Sequence, residues 1–461
     1  MLFSVFYRKI NAELKNWAER PFRKPLVLRG ARQVGKTTAV RMFASEFDTF
    51  ISLNLEQPAD LAIFSGNDSL SNVLDAMHFL KGVPLRSQGR TLIFIDEIQK
   101  SPQAVAMLRY FHEEAPQLYV IAAGSLLETM LDAHVSFPVG RVEFLLMHPV
   151  TFEEFLGALG EKAALSALRM LPAPAYAHDK LTELFHRYML VGGMPEAVKA
   201  YSDAGDLKAV DRIHESLVIA YQEDVEKYGS TQRMVPIIRH IMHSAFSEAA
   251  GRIRYEGFGN SNYLARDIKE GFGMLQKAFL FQVVHPVTAT SLPLSPDTKK
   301  SPRIHALDTG LLVFKTGMRK ALFSAADVSA VFSGRIVEHV VGQELYALNS
   351  SPLHGLHFWA RDKTQSNAEV DYVLPIDSRL IPVEVKSGAS GRLRSLHAFM
   401  NAASHSTAVR LYGAPYSLES AKTIAGKEFT LLNIPWYQAA MVEEYVELQK
   451  AREALPFSPA G

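Results

Sequence analysis

One stretch constrains this chain more than any other: Gly30-Ala31-Arg32-Gln33-Val34-Gly35-Lys36-Thr37 satisfies the pattern G-x-x-x-x-G-K-[ST]. It follows the apolar run Leu26-Val27-Leu28 and precedes a helical pattern that begins near Thr37. A strand that opens into such a loop and re-enters a helix turns its backbone N–H groups inward, and the helix N-terminus adds partial positive charge. The loop is therefore expected to cradle phosphates. Its candidate contacts are Gly30, Ala31, Arg32, Gln33, Val34, Gly35, Lys36, Thr37 and Thr38, with Lys36 bridging the β- and γ-phosphates and the Thr37 hydroxyl holding Mg²⁺.

A second motif, Thr91-Leu92-Ile93-Phe94-Ile95-Asp96-Glu97, is an apolar strand that ends in two carboxylates. Open parallel sheets bind ligands at the carboxyl ends of their strands, so Asp96 is expected to complete the Mg²⁺ shell and Glu97 to orient or deprotonate a water. The implied chemistry is hydrolysis.

These two motifs resemble those of AAA+ and related P-loop ATPases. After the next strand, Tyr119 to Ala122, that resemblance makes Ser125 the candidate γ-phosphate sensor, although Ala122-Ala123-Gly124 stands where the family usually has asparagine or threonine. It also makes Arg141, in Phe137-Pro138-Val139-Gly140-Arg141, the candidate arginine finger or sensor arginine. Gly192-Gly193-Met194-Pro195-Glu196 reads as a helix-breaking turn without chemistry of its own.

Length sets the number of folded units. At 461 residues, about 150 per domain suggests roughly three. Four stretches separate by pattern: 1–150, with βαβ alternation; 151–230, a helical connector or lid; 231–320, helix, helix and hairpin, as in a winged helix-turn-helix; and 321–461, mixed helix and strand. The expected fold class is α/β, a P-loop NTPase parallel sheet followed by a helical connector, a winged helix and an α/β restriction-endonuclease-like domain. Lys+Arg 49 against Asp+Glu 48 leaves a net charge of +1, which excludes a polyanion-coating protein. Local charge is another matter: Arg8, Lys9, Lys15, Arg20, Arg23, Lys24, Arg29, Arg32 and Lys36 face only Glu13 and Glu19 between residues 8 and 36. The absence of cysteine confines any metal to oxygen or histidine ligands. With no leader pattern and no apolar run of membrane length, the expected location is cytoplasmic.

In the third stretch, Asn262 to Phe272 is the expected recognition helix, with Arg266 and Lys269 on one face and Lys299, Lys300 and Arg303 at the wing. In the fourth, Ala368 to Leu374 and Arg379 to Lys386 read as a hairpin through Asp377-Ser378. Facing residues then sum to 755, setting Asp371 opposite Glu384 and Glu369 opposite Lys386. Directly opposed carboxylates repel unless neutralised, and a divalent metal would do so. The competing reading is a solvent-facing ladder in which Lys386 neutralises Glu369 and Glu384, on an edge strand marked by Pro382. Asp371 followed by Glu384-Val385-Lys386 resembles the PD-(D/E)XK nucleases. That resemblance implies Mg²⁺ on Asp371 and Glu384, Lys386 beside the attacking water, and Glu338 as a further acid from the preceding helix.

Taken whole, the chain resembles prokaryotic AAA-type ATPases carrying a winged helix and a C-terminal domain with a nuclease-like core. The resemblance implies ATP and Mg²⁺ as cofactors and DNA as partner. It is compatible with a protein partner and an oligomer, and calls for no membrane. Two functions follow: a Mg²⁺-dependent ATPase coupled to a nuclease-like, DNA-interacting domain, or an ATP-switched binding module whose nuclease-like domain is inactive.

Overall fold

A computed structural model describes residues 6–66, 69–84, 89–124, 138–225, 231–319, 334–362, 368–388 and 393–454. The first five strands, β1 Leu26–Arg29, β2 Thr49–Asn54, β3 Thr91–Asp96, β4 Tyr119–Ala123 and β5 Glu143–Leu146, form one parallel sheet in the order β2-β3-β4-β1-β5. Alternation along the strands sends side chains to opposite cores. Val27, Ile93 and Ile95 pack with helices Leu70–Lys81 and Pro102–Glu114, while Leu26, Leu28, Leu92 and Phe94 pack with helices Ile10–Glu19 and Lys36–Phe43. Both faces are covered, which is why these strands read as unbroken apolar runs.

A capping box at Thr151, with Glu154 as its reciprocal partner, starts the helical connector. Its helices run through Phe152–Ala158, Lys162–Leu168, His178–Val191, Pro195–Ala204 and Leu207–Glu223. Helices Met234–Glu248 and Ala265–Lys277 follow, then the antiparallel pair β6 Phe281–Val284 and β8 Arg303–Ala306, while β7 Pro286–Val287 joins another sheet. The second of these helices begins three residues later than the expected Asn262 start. Ser261 Oγ donates to the Phe258 carbonyl, and Leu264 is extended (ψ 140°), so the chain cannot coil before Ala265.

The C-terminal region has β9 Phe358–Ala360, β10 Glu369–Val370, β11 Tyr372–Ile376, β12 Arg379–Val385, β13 Thr407–Tyr412, β14 Ser417–Lys422 and β15 Glu428–Pro435. The last five form a mixed sheet ordered β11-β12-β13-β15-β14. Its hairpin has the expected register, Tyr372 against Val383 through Ile376 against Arg379, and Asp377 and Ser378 turn at φ 47° and 63°. Three expectations fail here. Glu369 does not face Lys386, because β10 leaves the hairpin to pair with β9, setting Glu369 against Ala360. Pro382 is not on an edge: β12 lies between β11 and β13, and the parallel pairing with β13 starts at Val383, just past the missing donor. Nor is the ladder solvent-facing, since Val373 and Leu380 pack into one core and Tyr372, Ile381 and Val383 into another.

One buried cluster runs from Leu14 and Val40 through Tyr188, Ile238 and Phe272 to Val340, Ile381 and Tyr445. The four stretches therefore share apolar surface.

Candidate functional site

The Gly30–Thr37 loop forms the floor of a cavity of about 840 Å³ lined by Arg32, Gln33, Gly35, Lys36, Thr37, Thr38, Asp96 and Glu97, with Pro195, Glu196 and Lys199 opposite. The glycines are steric necessities. A Cβ on Gly30 would lie 2.4 Å from the Met147 carbonyl oxygen, and Gly35 turns at φ 96°. Lys36 Nζ, buried under the loop, donates to the carbonyls of Gly30 (3.0 Å) and Ala31 (2.8 Å). Burial lowers its pKa to about 8, with Glu97 and Asp96 pulling the other way and Arg32 adding to the fall. A polyphosphate in the cavity would favour the charged form of Lys36, against the effect of burial.

Thr37 Oγ1 donates to Asp96 Oδ2 at 2.6 Å, so two residues 59 apart in sequence meet at the strand ends. A hydroxyl beside a carboxylate suits Mg²⁺, which takes oxygen ligands and shares them with phosphates. Glu97, at φ 53°, is gripped by the side-chain amide of Gln99, a residue that sequence reasoning missed. Ala31 and Val34 belong to the loop's packing, at 1% and 0% exposure, rather than its lining. Ser125 lies outside the described residues. Among the described residues, those lining the cavity do not include Arg141, which is exposed and bonded through Nε to Glu113 Oε1 at 2.8 Å.

Arg8, from the basic stretch, braces the loop. It donates to the Val34 carbonyl (2.9 Å) and the His148 carbonyl (2.7 Å) and pairs with Glu154 at 3.1 Å, which ties the loop to the capping box of the connector. Arg32 pairs with Asp224, and Tyr221 Oη donates to the Arg32 carbonyl at 3.0 Å. These contacts join loop and connector.

Gly192-Gly193 proves to be the turn expected of it, but its placement matters. Gly193 donates its N–H to Asp308 Oδ2 at 2.5 Å, and helix Pro195–Ala204 then projects Pro195, Glu196 and Lys199 into the cavity wall. Asp308 also caps helix Thr309–Lys315 through the Leu311 N–H. Burial raises its pKa to about 6, against backbone N–H bonds that lower it. Nearby, Glu344 Oε1 accepts the Phe152 N–H (3.0 Å) and lies 2.9 Å from Tyr188 Oη, which also donates to the Val150 carbonyl at 2.7 Å. One phenolic proton cannot serve both acceptors, so a protonated Glu344 fits the network better than an ionised one. Burial accordingly pushes Glu344 to about 7, opposed by Tyr188, Lys9 and Phe152.

A carboxyl whose pKa is higher folded than unfolded stabilises the fold only while protonated. This contribution is present below about pH 4.5 and lost as pH rises to about 7. Glu344→Gln, neutral at every pH, is therefore expected to flatten that decline, with an advantage over Glu344 of at most about 3 kcal/mol at pH 8. Denaturant melts of both proteins from pH 5 to 8 check it; parallel curves would refute it.

The acids of the C-terminal region meet, but around an arginine. Arg303, on β8, pairs with Glu338, with Glu369 at 3.1 Å and with Asp371 at 3.5 Å. Glu384 is bonded to Lys386 Nζ at 2.6 Å, and its other oxygen is buried without a partner. Asp371 Oδ2 accepts the Val385 N–H at 2.8 Å, taking the place of a backbone rung. Burial raises the pKa of Glu338, Asp371 and Glu384, with Arg303 opposing in each. As arranged, these residues do not fit Mg²⁺: one oxygen each of Glu338 and Asp371 is taken by a guanidinium, the other Asp371 oxygen by the Val385 N–H, and among the described residues no three or more His, Asp or Glu side chains are grouped to hold a metal.

Comparison with known proteins agrees with this geometry for the first part of the chain. Residues 22–156 match the family described as an AAA domain, and this stretch, with its five-stranded parallel sheet and phosphate loop, has the P-loop fold of an AAA-type domain. Residues 182–321 match a domain of unknown function, DUF8612, and residues 333–437 another, DUF4143. The chain matches no curated protein. Solved structures similar to it include the Walker-type ATPase PABY2304 of Pyrococcus abyssi, at 16% identity over 68% of this chain and 96% of that one, with a TM-score of 0.45. The Thermotoga maritima RuvB Holliday junction branch migration motor is 14% identical over 60% of this chain and 89% of its own, with a TM-score of 0.26. The Aeropyrum pernix ORC1 protein in complex with DNA is 16% identical over 69% and 95%, also at 0.26. Among the described residues, no helix is long and apolar enough to cross a membrane.

Proposed function

We propose that the chain is a Mg²⁺-dependent ATPase whose nucleotide state is communicated to its C-terminal half. The observation that carries the reading is the convergence of Lys36, Thr37, Asp96 and Glu97 on one cavity. In it Lys36 exchanges its loop carbonyls for phosphate oxygens, and Thr37 and Asp96 would hold Mg²⁺, which would supply neutralisation of phosphate charge. Glu97, positioned by Gln99, accepts the proton of the attacking water. Ser125 remains the proposed γ-phosphate sensor. Arg141, away from its own cavity, is proposed to act on a neighbouring copy's nucleotide, which makes the active form an oligomer.

Glu97→Gln is expected to keep nucleotide affinity and lower ATP turnover by about a hundredfold or more, the usual scale of a lost general base. Phosphate release and fluorescent-nucleotide titration on the same samples check this, and unchanged turnover would refute the assignment. DNA is the proposed partner of the helix-helix-hairpin segment, read as a winged helix. Arg266 and Lys269 are exposed on its second helix, although Arg266 is shared with Asp267 at 3.2 Å.

One observation supports a second reading, an ATP-switched binding module with an inactive nuclease-like domain. Arg303 sits among the acids that a nuclease would give to metal.

A further inference from the structure

Arg303 does not come from the C-terminal sheet. It opens β8, in the segment that precedes the last domain, and crosses into a cluster built by helix Gly334–Tyr346, β10 and the Asp371 break. Its side chain is 13% exposed, its guanidinium carbon lies 4.6 Å from the Phe358 ring centroid, and its two terminal nitrogens reach Glu338, Glu369 and Asp371. Arg252 supports the same cluster, donating to Glu369 at 2.6 Å and, through Nε, to the Ser301 carbonyl at 3.1 Å. Four acids (Glu338, Glu369, Asp371, Glu384) thus face three cations (Arg252, Arg303, Lys386), and the unpartnered Glu384 oxygen marks where compensation is incomplete.

A guanidinium and a divalent ion make incompatible demands on these oxygens. The planar fork donates to carboxylate oxygens about 2.7–2.9 Å from its nitrogens, whereas Mg²⁺ draws oxygens to about 2.0–2.1 Å in a near-ideal octahedron. Removing a buried arginine from such a set would leave its acids facing one another uncompensated, which is the condition under which a metal binds.

We propose that Arg303 is the resident cation of this cluster, held by Glu338, Glu369 and Asp371 in the place of a divalent metal and bolting β8 to the C-terminal sheet. The inference deepens the binding-module reading and rests on it. It also gives β8 two anchors, because the strand runs on to Asp308, which holds the Gly193 turn beside the nucleotide cavity. A buried, multidentate arginine is suited to fixing register between modules in a way that a lysine is not.

The test is Mn²⁺ binding to the full chain by electron paramagnetic resonance, with Asp96→Asn present throughout to silence the nucleotide site. The background protein is expected to bind no Mn²⁺ that a further Asp371→Asn change removes. Adding Arg303→Met is expected to create one Mn²⁺ equivalent at least about tenfold tighter than any background binding, abolished by Asp371→Asn. An Asp371-dependent Mn²⁺ site in the background protein would overturn the proposal, as would a folded Arg303→Met protein that binds none. If Arg303→Met does not fold, Arg303→Gln keeps a polar side chain without the charge and is expected to bind Mn²⁺ more tightly than the background; no gain there is equally adverse. Plasmid DNA incubated with Mn²⁺ and the otherwise unsubstituted chain tests the underlying reading separately. Cleavage lost in Glu384→Gln would defeat the inactive-domain reading, whereas failure of the Mn²⁺ experiment without cleavage would defeat only the role of Arg303.

Discussion

Lys36→Ala is expected to lower ATP turnover at least about a hundredfold and to weaken nucleotide binding in parallel. The amine is buried beneath the loop, 2.8 and 3.0 Å from two carbonyls, and Gly30–Thr37 carries no other lysine. Charge-assisted bonds to phosphate are about twice as strong as neutral ones, and removing one preorganised donor of transition-state charge commonly costs 10²–10³ in rate, roughly. Truncation also strips the Gly30 and Ala31 carbonyls of a donor, so the nucleotide-free protein is expected to lose about 1 kcal/mol of stability. Phosphate release, nucleotide titration and a thermal melt separate the two effects. Turnover within twofold of the unsubstituted chain would remove the basis of the ATPase reading.

Gly193→Ala is the second large effect. A Cβ there would sit 2.3 Å from the Val150 carbonyl oxygen and 2.9 Å from Pro149 Cβ, and the first of these is backbone that cannot rotate away. The same residue donates to Asp308 and accepts the Val150 N–H at 2.7 Å, so the turn is pinned on both sides. Overpacking of this kind costs about 3 kcal/mol. Because Pro195 and Glu196 line the nucleotide cavity two and three residues later, the displaced turn is also expected to weaken nucleotide binding several-fold. Gly205→Ala is the control. It has a positive φ of 64° but nothing within 4 Å of an added Cβ, and is expected to cost only about 1 kcal/mol, with nucleotide affinity intact. Denaturant unfolding and nucleotide titration of both variants check the contrast; equal losses would show that backbone conformation, not the close approach to Val150, decides the effect.

Much of the ATPase domain was legible because its signals are local. Leu26 to Thr37 specifies strand, loop and helix within a dozen residues, and Thr91 to Glu97 specifies a buried strand with acids at its end. The hairpin register was legible for the same reason: Asp377-Ser378 can adopt the positive φ of a two-residue turn, and alternation on either side admits one pairing. Reading the hairpin as continuous through Glu369 failed because a strand can change partners at one residue. Asp371 bonds Val385 through its side chain, freeing Glu369 to pair with β9.

By itself, then, the sequence determined the phosphate cradle, its strand-end acids, the turn chemistry and the identity of the acids gathered in the C-terminal half. Tertiary structure alone decided what those acids hold. Gln99 gripping Glu97, Asp308 reaching Gly193 across 115 residues, Glu344 meeting Phe152 across 192 and Arg303 entering the carboxylate cluster carry no local pattern. A motif records which backbone conformations nearby residues permit, whereas the partner of a buried charge depends on which distant segment returns to neutralise it.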